Sequence, residues 1–160
     1  MEEILTQGED RYAHECRIRD LYATRLDEFR PDERLLKTEH SYEDSKVRGD
    51  MRTIDRHDVI RIWEFKISAG YEGLGQILTY LALARRDLAF GRRVRGVLAA
   101  FDVQPEVDLA IEVLNLGIEV VRLPDKMRLA GGIPRIREPL AVPQIPQLAT
   151  LLPPTKKDAR

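Results

Sequence analysis

Asp50, then Glu64-Phe65-Lys66, then Gln76 and Tyr80 are the residues whose types and order could do chemistry. Two acids and a lysine on neighbouring strands, under a polar helix face, suit a magnesium ion held against a phosphodiester. Hydrolysis of that bond needs an activated water, neutralised phosphate charge and help for the leaving oxygen, and magnesium can supply all three. The ion takes oxygen ligands in near-octahedral geometry and usually keeps several waters. Asp50 and Glu64 offer two carboxylates, and the Phe65 carbonyl offers a third oxygen. Lys66 can orient or deprotonate the attacking water, or stabilise charge in the transition state. Gln76 and Tyr80 are four residues apart and share a helix face, from which they can contact the phosphate or hold Lys66. The same residues also have a plain reading. In a chain that is 33% charged, Glu-x-Lys is common, and Asp50, Glu64 and Lys66 can be a like-charge pair relieved by a lysine. Gln76 and Tyr80 can be the polar flank of an amphipathic helix.

The surrounding elements must bring these groups together. Residues 49–55 and 59–66 are short runs rich in β-formers, with Arg56-His57-Asp58 between them as a three-residue hairpin turn. If Asp55 pairs with Val59, Asp50 falls directly opposite Glu64, on one sheet face, with Cβ atoms roughly 5 Å apart. Lys66, two residues on, points the same way. A one-residue slip or a bulge would break the arrangement. Trp63 alternates away from Glu64 and is expected in the core. A helix is predicted over 9–29, with Ile18, Leu21, Tyr22, Leu26 and Phe29 as its apolar stripe and Pro31 ending it. A strand is predicted over 34–43. After Ser68-Ala69-Gly70 a helix runs over 71–89, burying Leu74, Ile77, Leu78, Leu81 and Leu88. Gly73 and Gly75 in its first turn signal close backbone approach. A buried strand (94–101), a helix from Pro105 to Leu116 capped by Gly117, and a strand (118–123) complete the order. Strand–helix–strand–helix–strand implies a parallel portion with helical crossovers. The expected fold class is therefore α/β, a mixed central sheet flanked by helices (α-β-β-β-α-β-α-β). Residues 125–160, with Pro134, Pro139, Pro143, Pro146, Pro153 and Pro154, read as a Pro-rich extended tail that can wrap the domain or bind a partner protein.

The ordered set Asp50, Glu64-Phe65-Lys66, Gln76 and Tyr80 resembles the PD-(D/E)xK nuclease superfamily, a restriction-endonuclease-like core. Glu15-Cys-Arg-Ile-Arg-Asp20 looks like the Glu-x-x-Leu-Arg-Asp run on the leading helix of these domains. More closely, residues 15–124 resemble the C-terminal nuclease domain of NucS-type endonucleases, through Gly-Gln-Ile-Leu-Thr-Tyr (75–80), Val-Arg-Gly-Val-Leu-Ala (94–99) and Gly-Ile-Glu-Val-Val-Arg-Leu (117–123). The resemblance implies Mg²⁺ or Mn²⁺, DNA as substrate, Asp50 and Glu64 as ligands, Glu15 as a further acid and Lys66 as the catalytic lysine. It also implies a division into a nuclease-like domain (1–124) and the tail (125–160). The sequence departs from the family around Asp50, where Gly49 and Met51-Arg52 replace a more apolar run, and it carries no counterpart of the N-terminal domain that grips DNA in those enzymes. Spacing alone leaves Glu15 equally suited to the site and to a salt bridge with Lys66 or Arg19.

Composition bounds the alternatives. At 160 residues, 43% of them hydrophobic, the chain can bury a core and is not of disordered composition. No apolar run reaches the roughly 20 residues that span a bilayer, and the acidic start is unlike a signal peptide, so a cytoplasmic protein without membrane contact is expected. Cys16 is the only cysteine, which excludes an internal disulfide; it is expected as a small buried apolar residue. His14, His40 and His57 are expected at the surface. The net charge of −1 hides an uneven distribution: residues 1–44 hold 7 basic and 13 acidic groups, whereas residues 84–95 hold five arginines and one aspartate. Arg85, Arg86, Arg92 and Arg93 from that cluster, with Arg48 and Arg52 beside Asp50, are candidate contacts to a nucleic-acid backbone. Two functions remain at this level: a metal-dependent DNA endonuclease, or a non-catalytic nucleic-acid or protein-binding module on the same fold. A homodimer would suit duplex cleavage and cover exposed strand edges.

Overall fold

The computed structural model describes residues 7–41, 48–88 and 91–130. Residues 131–160, most of the expected tail, lie outside the described residues. Five strands form one sheet in the sequential order β1-β2-β3-β4-β5, with β1 (Glu33–Ser41), β2 (Arg48–Asp55), β3 (Val59–Ala69), β4 (Arg93–Val103) and β5 (Ile118–Arg122). The first three pair antiparallel and the last three pair parallel. The parallel connections are the crossover helices α3 (Tyr71–Asp87) and α4 (Pro105–Val113), as parallel neighbours require. The expected mixed sheet with flanking helices is found.

The hairpin register is the expected one. Met51 pairs with Trp63 and Ile54 with Ile60, and the pairing stops there, one residue short of the expected Asp50–Glu64 pair. The Asp55 carboxylate fixes the turn, accepting hydrogen bonds from the amides of His57 (2.8 Å) and Val59 (3.0 Å). Asp58 takes a φ of 59°, which Asp tolerates better than most side chains. Side-chain alternation along β3 then divides the core. Trp63 and Phe65 join Met51, Val97 and Phe101 on one face, under Ile18, Tyr22 and Leu26 of the leading helices. Ile60 and Ile62 join Ile54, Ile77 and Leu81 on the other face, under α3.

Several boundaries differ from expectation. The leading helix breaks at Arg25 into α1 (Gln7–Thr24) and α2 (Leu26–Phe29), because Arg25 leaves helical geometry at φ −114° and ψ 24°. β3 runs through Ser68 to Ala69, and Gly70 caps α3 instead of breaking the strand. α3 buries Tyr80 and Ala84, while Leu74, Leu78 and Leu88 are half-buried. Residues Lys126–Ala130, expected as extended tail, form a short helix α5; Met127 drops into the core beside Phe101 and Leu123, which gives this stretch an apolar contact that its composition did not signal.

Candidate metal centre at a fork between two strands

β2 and β3 stay paired from the turn to Met51–Trp63 and then part. β2 continues with β1 as far as Arg48–Ser41, and β3 continues with β4 as far as Ala69–Val103. The fork leaves backbone amides on the β3 edge without strand partners, and such groups need acceptors. Side-chain carboxylates replace the missing carbonyls: Asp50 Oδ2 accepts the Phe65 N–H at 2.8 Å, and Glu15 Oε1, from α1, accepts the Ile67 N–H at 3.1 Å. A strand residue points its N–H and C=O to the same edge, so the Phe65 carbonyl faces the fork as well. Glu64 and Lys66 sit on the same strand between and beside these contacts. Lys66 Nζ lies 3.0 Å from Glu64 Oε1 and 3.6 Å from Glu15 Oε2.

Burial sets the electrostatics. Glu64 is only 3% exposed. Its desolvation, reinforced by the neighbouring Asp50 charge and opposed by Lys66, pushes the carboxyl up to about 8. Desolvation also raises Asp50, against the Phe65 amide, Arg19 and Lys66, and it raises Glu15, against Lys66 and the Ile67 amide. Carboxyls this close titrate as a set, and without a further cation they retain a proton that free acids would release. For Lys66, burial pulls downward, but Glu64 and Glu15 outweigh it and hold the ammonium above the ordinary lysine range. In this arrangement the Lys66 ammonium donates to Glu64.

Do these residues fit a divalent cation? Glu64 Oε2 is buried and has no hydrogen-bond donor, a costly state for a carboxylate oxygen. Among the described residues no three His, Cys, Asp or Glu side chains form a ready-made metal cage. Asp50 and Glu64 plus a backbone carbonyl nevertheless match the habit of magnesium, which binds one or two carboxylates and completes its shell with water and phosphate oxygens. The site therefore fits: Asp50, Glu64 and the Phe65 carbonyl would hold the ion, with Glu15 behind Lys66. When bound, the ion supplies phosphate charge neutralisation and a more acidic water. Asp50 and Glu15 keep β3 fixed by charge-assisted hydrogen bonds, and Lys66 lines the adjoining cleft.

A cleft of about 630 Å³ opens on this end, lined by Glu15, Lys66 and Gln76 together with Arg11, Tyr12, Ser68 and Gln104. Gln76 turns a buried, unpartnered Oε1 into this region. Gly73 gives α3 its close approach: a Cβ there would sit 3.4 Å from the Lys66 side chain, whereas one at Gly75 meets nothing within 4 Å. The close approach expected of both glycines thus applies to Gly73 alone. Tyr80, one turn beyond Gln76, is buried in the apolar cluster with Ile62 and Ile77, so the two do not present one open polar face.

The candidate backbone contacts separate into two groups. Arg48 (exposed) and Arg52 (half-buried) lie on β2 beside Asp50. Arg85 and Arg86 end α3, and Arg92 and Arg93 precede and begin β4. The register pairs Val59 with Arg93 and Lys66 with Ala100, so that cluster lies at the far end of the strands, about 23 Å from Lys66 at ~3.3 Å per residue. Cys16 and His14 are half-buried, a little deeper or shallower than expected; His57 is exposed in the turn, and the His40 side chain lies outside the described residues.

Sequence reasoning missed the part of Arg19. It is 5% exposed, pairs with Asp20 at 2.8 Å and Glu39 at 3.3 Å, and stands 4.0 Å from Asp50. Its spacing of four from Glu15 on α1 placed it on the same face, but nothing local linked it to Asp50.

No family model matches the sequence, and no curated protein matches it. Solved structures do. A repair endonuclease from Pyrococcus abyssi superposes with a TM-score of 0.57 at 19% identity, over 76% of this chain and 49% of that one. A structure of EndoMS in complex with double-stranded DNA gives 0.59 at 19% identity, over 78% and 48%. EndoMS in apo form gives 0.52 at 18%, over 76% and 48%. The fold is therefore the α/β fold found in NucS- and EndoMS-type repair endonucleases, as the sequence resemblance implied. This chain spans about half the length of those proteins. No helix among the described residues is long and apolar enough to cross a membrane.

Proposed function

We propose that this chain is a cytoplasmic, divalent-cation-dependent DNA endonuclease domain of the PD-(D/E)xK type, using Mg²⁺ or Mn²⁺. Asp50, Glu64 and the Phe65 carbonyl hold the ion, Lys66 donates to the phosphate, Glu15 positions Lys66 and β3, and Gln76 borders the substrate. The observation that carries this reading is the Glu64 carboxylate oxygen buried without a donor, beside Asp50 and the Lys66 ammonium, which itself lines a cleft. The fold shared with repair endonucleases supports it. Purified protein is incubated with labelled duplex, single-stranded, branched and mismatched DNA, with Mg²⁺, Mn²⁺ or EDTA. Metal-dependent cleavage lost in Glu64→Gln is the expected result; no cleavage of any substrate with either metal rejects the proposal.

The absence, among the described residues, of three clustered metal-ligating side chains favours a second reading, a module on the same fold that binds nucleic acid or protein without cutting. Calorimetric titration with Mn²⁺ separates the two. Uptake abolished by Asp50→Ala or Glu64→Ala favours the enzyme, and no uptake favours the binder.

A further inference from the structure

The far end of the parallel strands carries a second charged surface. A groove of about 930 Å³ opens between the start of β3, the start of β4, the end of α3 and the turn into β5. Arg61, Arg85, Arg92, Arg93 and Arg95 line it, against the single carboxylate of Glu119. The whole chain is at −1, so this local excess is not a by-product of composition.

The register makes the excess deliberate in physical terms. β3 and β4 set Arg61 beside Arg95, and Val59 beside Arg93, and like charges on adjacent strands repel. Arg61 is compensated by Asp55 and Glu119. Arg92, Arg93 and Arg95 are exposed and form no salt bridge among the described residues. Arg85 closes the opposite wall through the Val94 carbonyl at 3.4 Å. Gly117, at φ 70°, leaves room for that guanidinium: a Cβ there would lie 3.1 Å from Arg85 Nη2. Arg93 Nη2 donates to the His57 carbonyl at 2.5 Å, and guanidinium groups clustered without carboxylate partners do not stabilise a fold. They do match phosphate oxygens, which accept two N–H bonds from one planar fork.

We propose that this groove grips the phosphate backbone of nucleic acid at a point remote from the carboxylate fork. The inference rests on the nucleic-acid reading above, but it requires neither metal nor cleavage. Alternation along β3 and β4 puts Arg61, Arg93 and Arg95 on the Trp63 face of the sheet and Glu64 and Lys66 on the other, so the groove is separated from the fork in face as well as along the strands.

The test is fluorescence anisotropy with the full chain, in EDTA, on a labelled duplex of about 20 base pairs and its single strand, from 50 to 200 mM salt. For the Arg92→Gln/Arg93→Gln/Arg95→Gln variant, the salt slope of duplex binding should fall by about 2 to 3, and affinity at low salt by about tenfold or more. Arg17→Gln/Arg34→Gln/Lys37→Gln removes equal charge from α1 and β1 and should leave most of the slope. An unchanged slope in the first variant, or an equal fall in both, overturns the groove. Should the triple variant fail to fold, Arg95→Gln alone should lower the slope by about one, and no change there overturns the groove equally. Loss of slope in a chain that never cleaves DNA leaves the groove standing and removes only the nuclease. Cleavage with an unchanged slope removes only the groove.

Discussion

Two clusters in this molecule each set three carboxylates against two cations, and they behave oppositely. At the strand fork, Asp50, Glu64 and Glu15 face Lys66 and Arg19. At the other end of the sheet, Glu33, Asp55 and Glu119 face Arg30 and Arg61. In the second cluster every carboxylate oxygen has a donor. Arg30 spans Glu33 and both oxygens of Glu119, Arg61 reaches Asp55 and Glu119, Thr53 serves Glu33, and the turn amides serve Asp55. Asp55 is held down to about 2 and Glu119 is held below the usual range; burial opposes the arginines in both and loses. At the fork, the nearest guanidinium to Asp50 is 4.0 Å away, Lys66 reaches Glu15 only at 3.6 Å, and Glu64 Oε2 has no donor. There burial wins and the acids are raised. Charge count is therefore a poor guide to what an ion cluster is for. Donor count is better: forked arginines finish a structural network, whereas a point-charge lysine leaves room for a cation.

The comparison breaks first on activity. Glu64→Gln and Lys66→Ala should each lower metal-dependent cleavage by about 10²- to 10³-fold or more, the range for removing one electrostatic contributor in a closed site. Arg61→Ala, assayed at saturating DNA so that any loss of binding at the groove does not register, should lower it only as far as the folded fraction falls. Single-turnover assays on one substrate, with circular dichroism of each variant, decide this; equal losses in all three would erase the distinction.

Stability should show the reverse order. Arg61→Ala leaves Asp55 Oδ2 without a donor while Arg30 still serves Glu119, and it should cost about 1 to 3 kcal/mol, read from urea midpoints. Glu64→Gln should instead stabilise the metal-free protein at pH 8, because it removes a charge that burial disfavours.

The pH profile sharpens that contrast. The unfolded Glu64 carboxyl ionises near pH ~4.3, whereas the folded one holds its proton until about 8. Between those values the folded state binds more protons. Stability in EDTA should therefore fall as pH rises, by up to about 1.4 kcal/mol per unit from this group, and level off above about 8. Glu64→Gln should flatten this limb. Asp55 has the opposite sign: its contribution is present above its unfolded value near ~3.9 and is lost as pH falls toward about 2. Midpoints measured from pH 2 to 9 test both limbs, and a metal-free wild type whose stability does not decline from pH 5 to 8 contradicts the account of the fork.

The smallest effect expected is at Gly73 and Gly75. Alanine at either should add about 0.5 to 1 kcal/mol of helix stability. Only at Gly73 would the new methyl touch the Lys66 side chain, at 3.4 Å, so only Gly73→Ala should change cleavage, by no more than a few-fold. Matched melting and rate measurements on the two variants check this.

The sequence by itself determined the short-range features. Alternation placed Trp63 in one face of the core and Glu64 in the other, and a three-residue turn set the register that pairs Met51 with Trp63. Pro31, Pro105 and the helical spacings located most element ends, because turns and periodicity act within a few residues. Only the tertiary structure decided which ions are satisfied. That β2 leaves β3 at Met51, that a carboxylate from α1 takes an amide on β3, and that Arg30, Glu33, Arg61 and Glu119 meet depend on packing between distant segments. Likewise, Arg92 and Arg93 looked equivalent to Arg48 and Arg52 until the β3–β4 pairing put them at opposite ends of the strands. Coulomb interactions and desolvation follow position in space, which residue types along a chain record only through the fold.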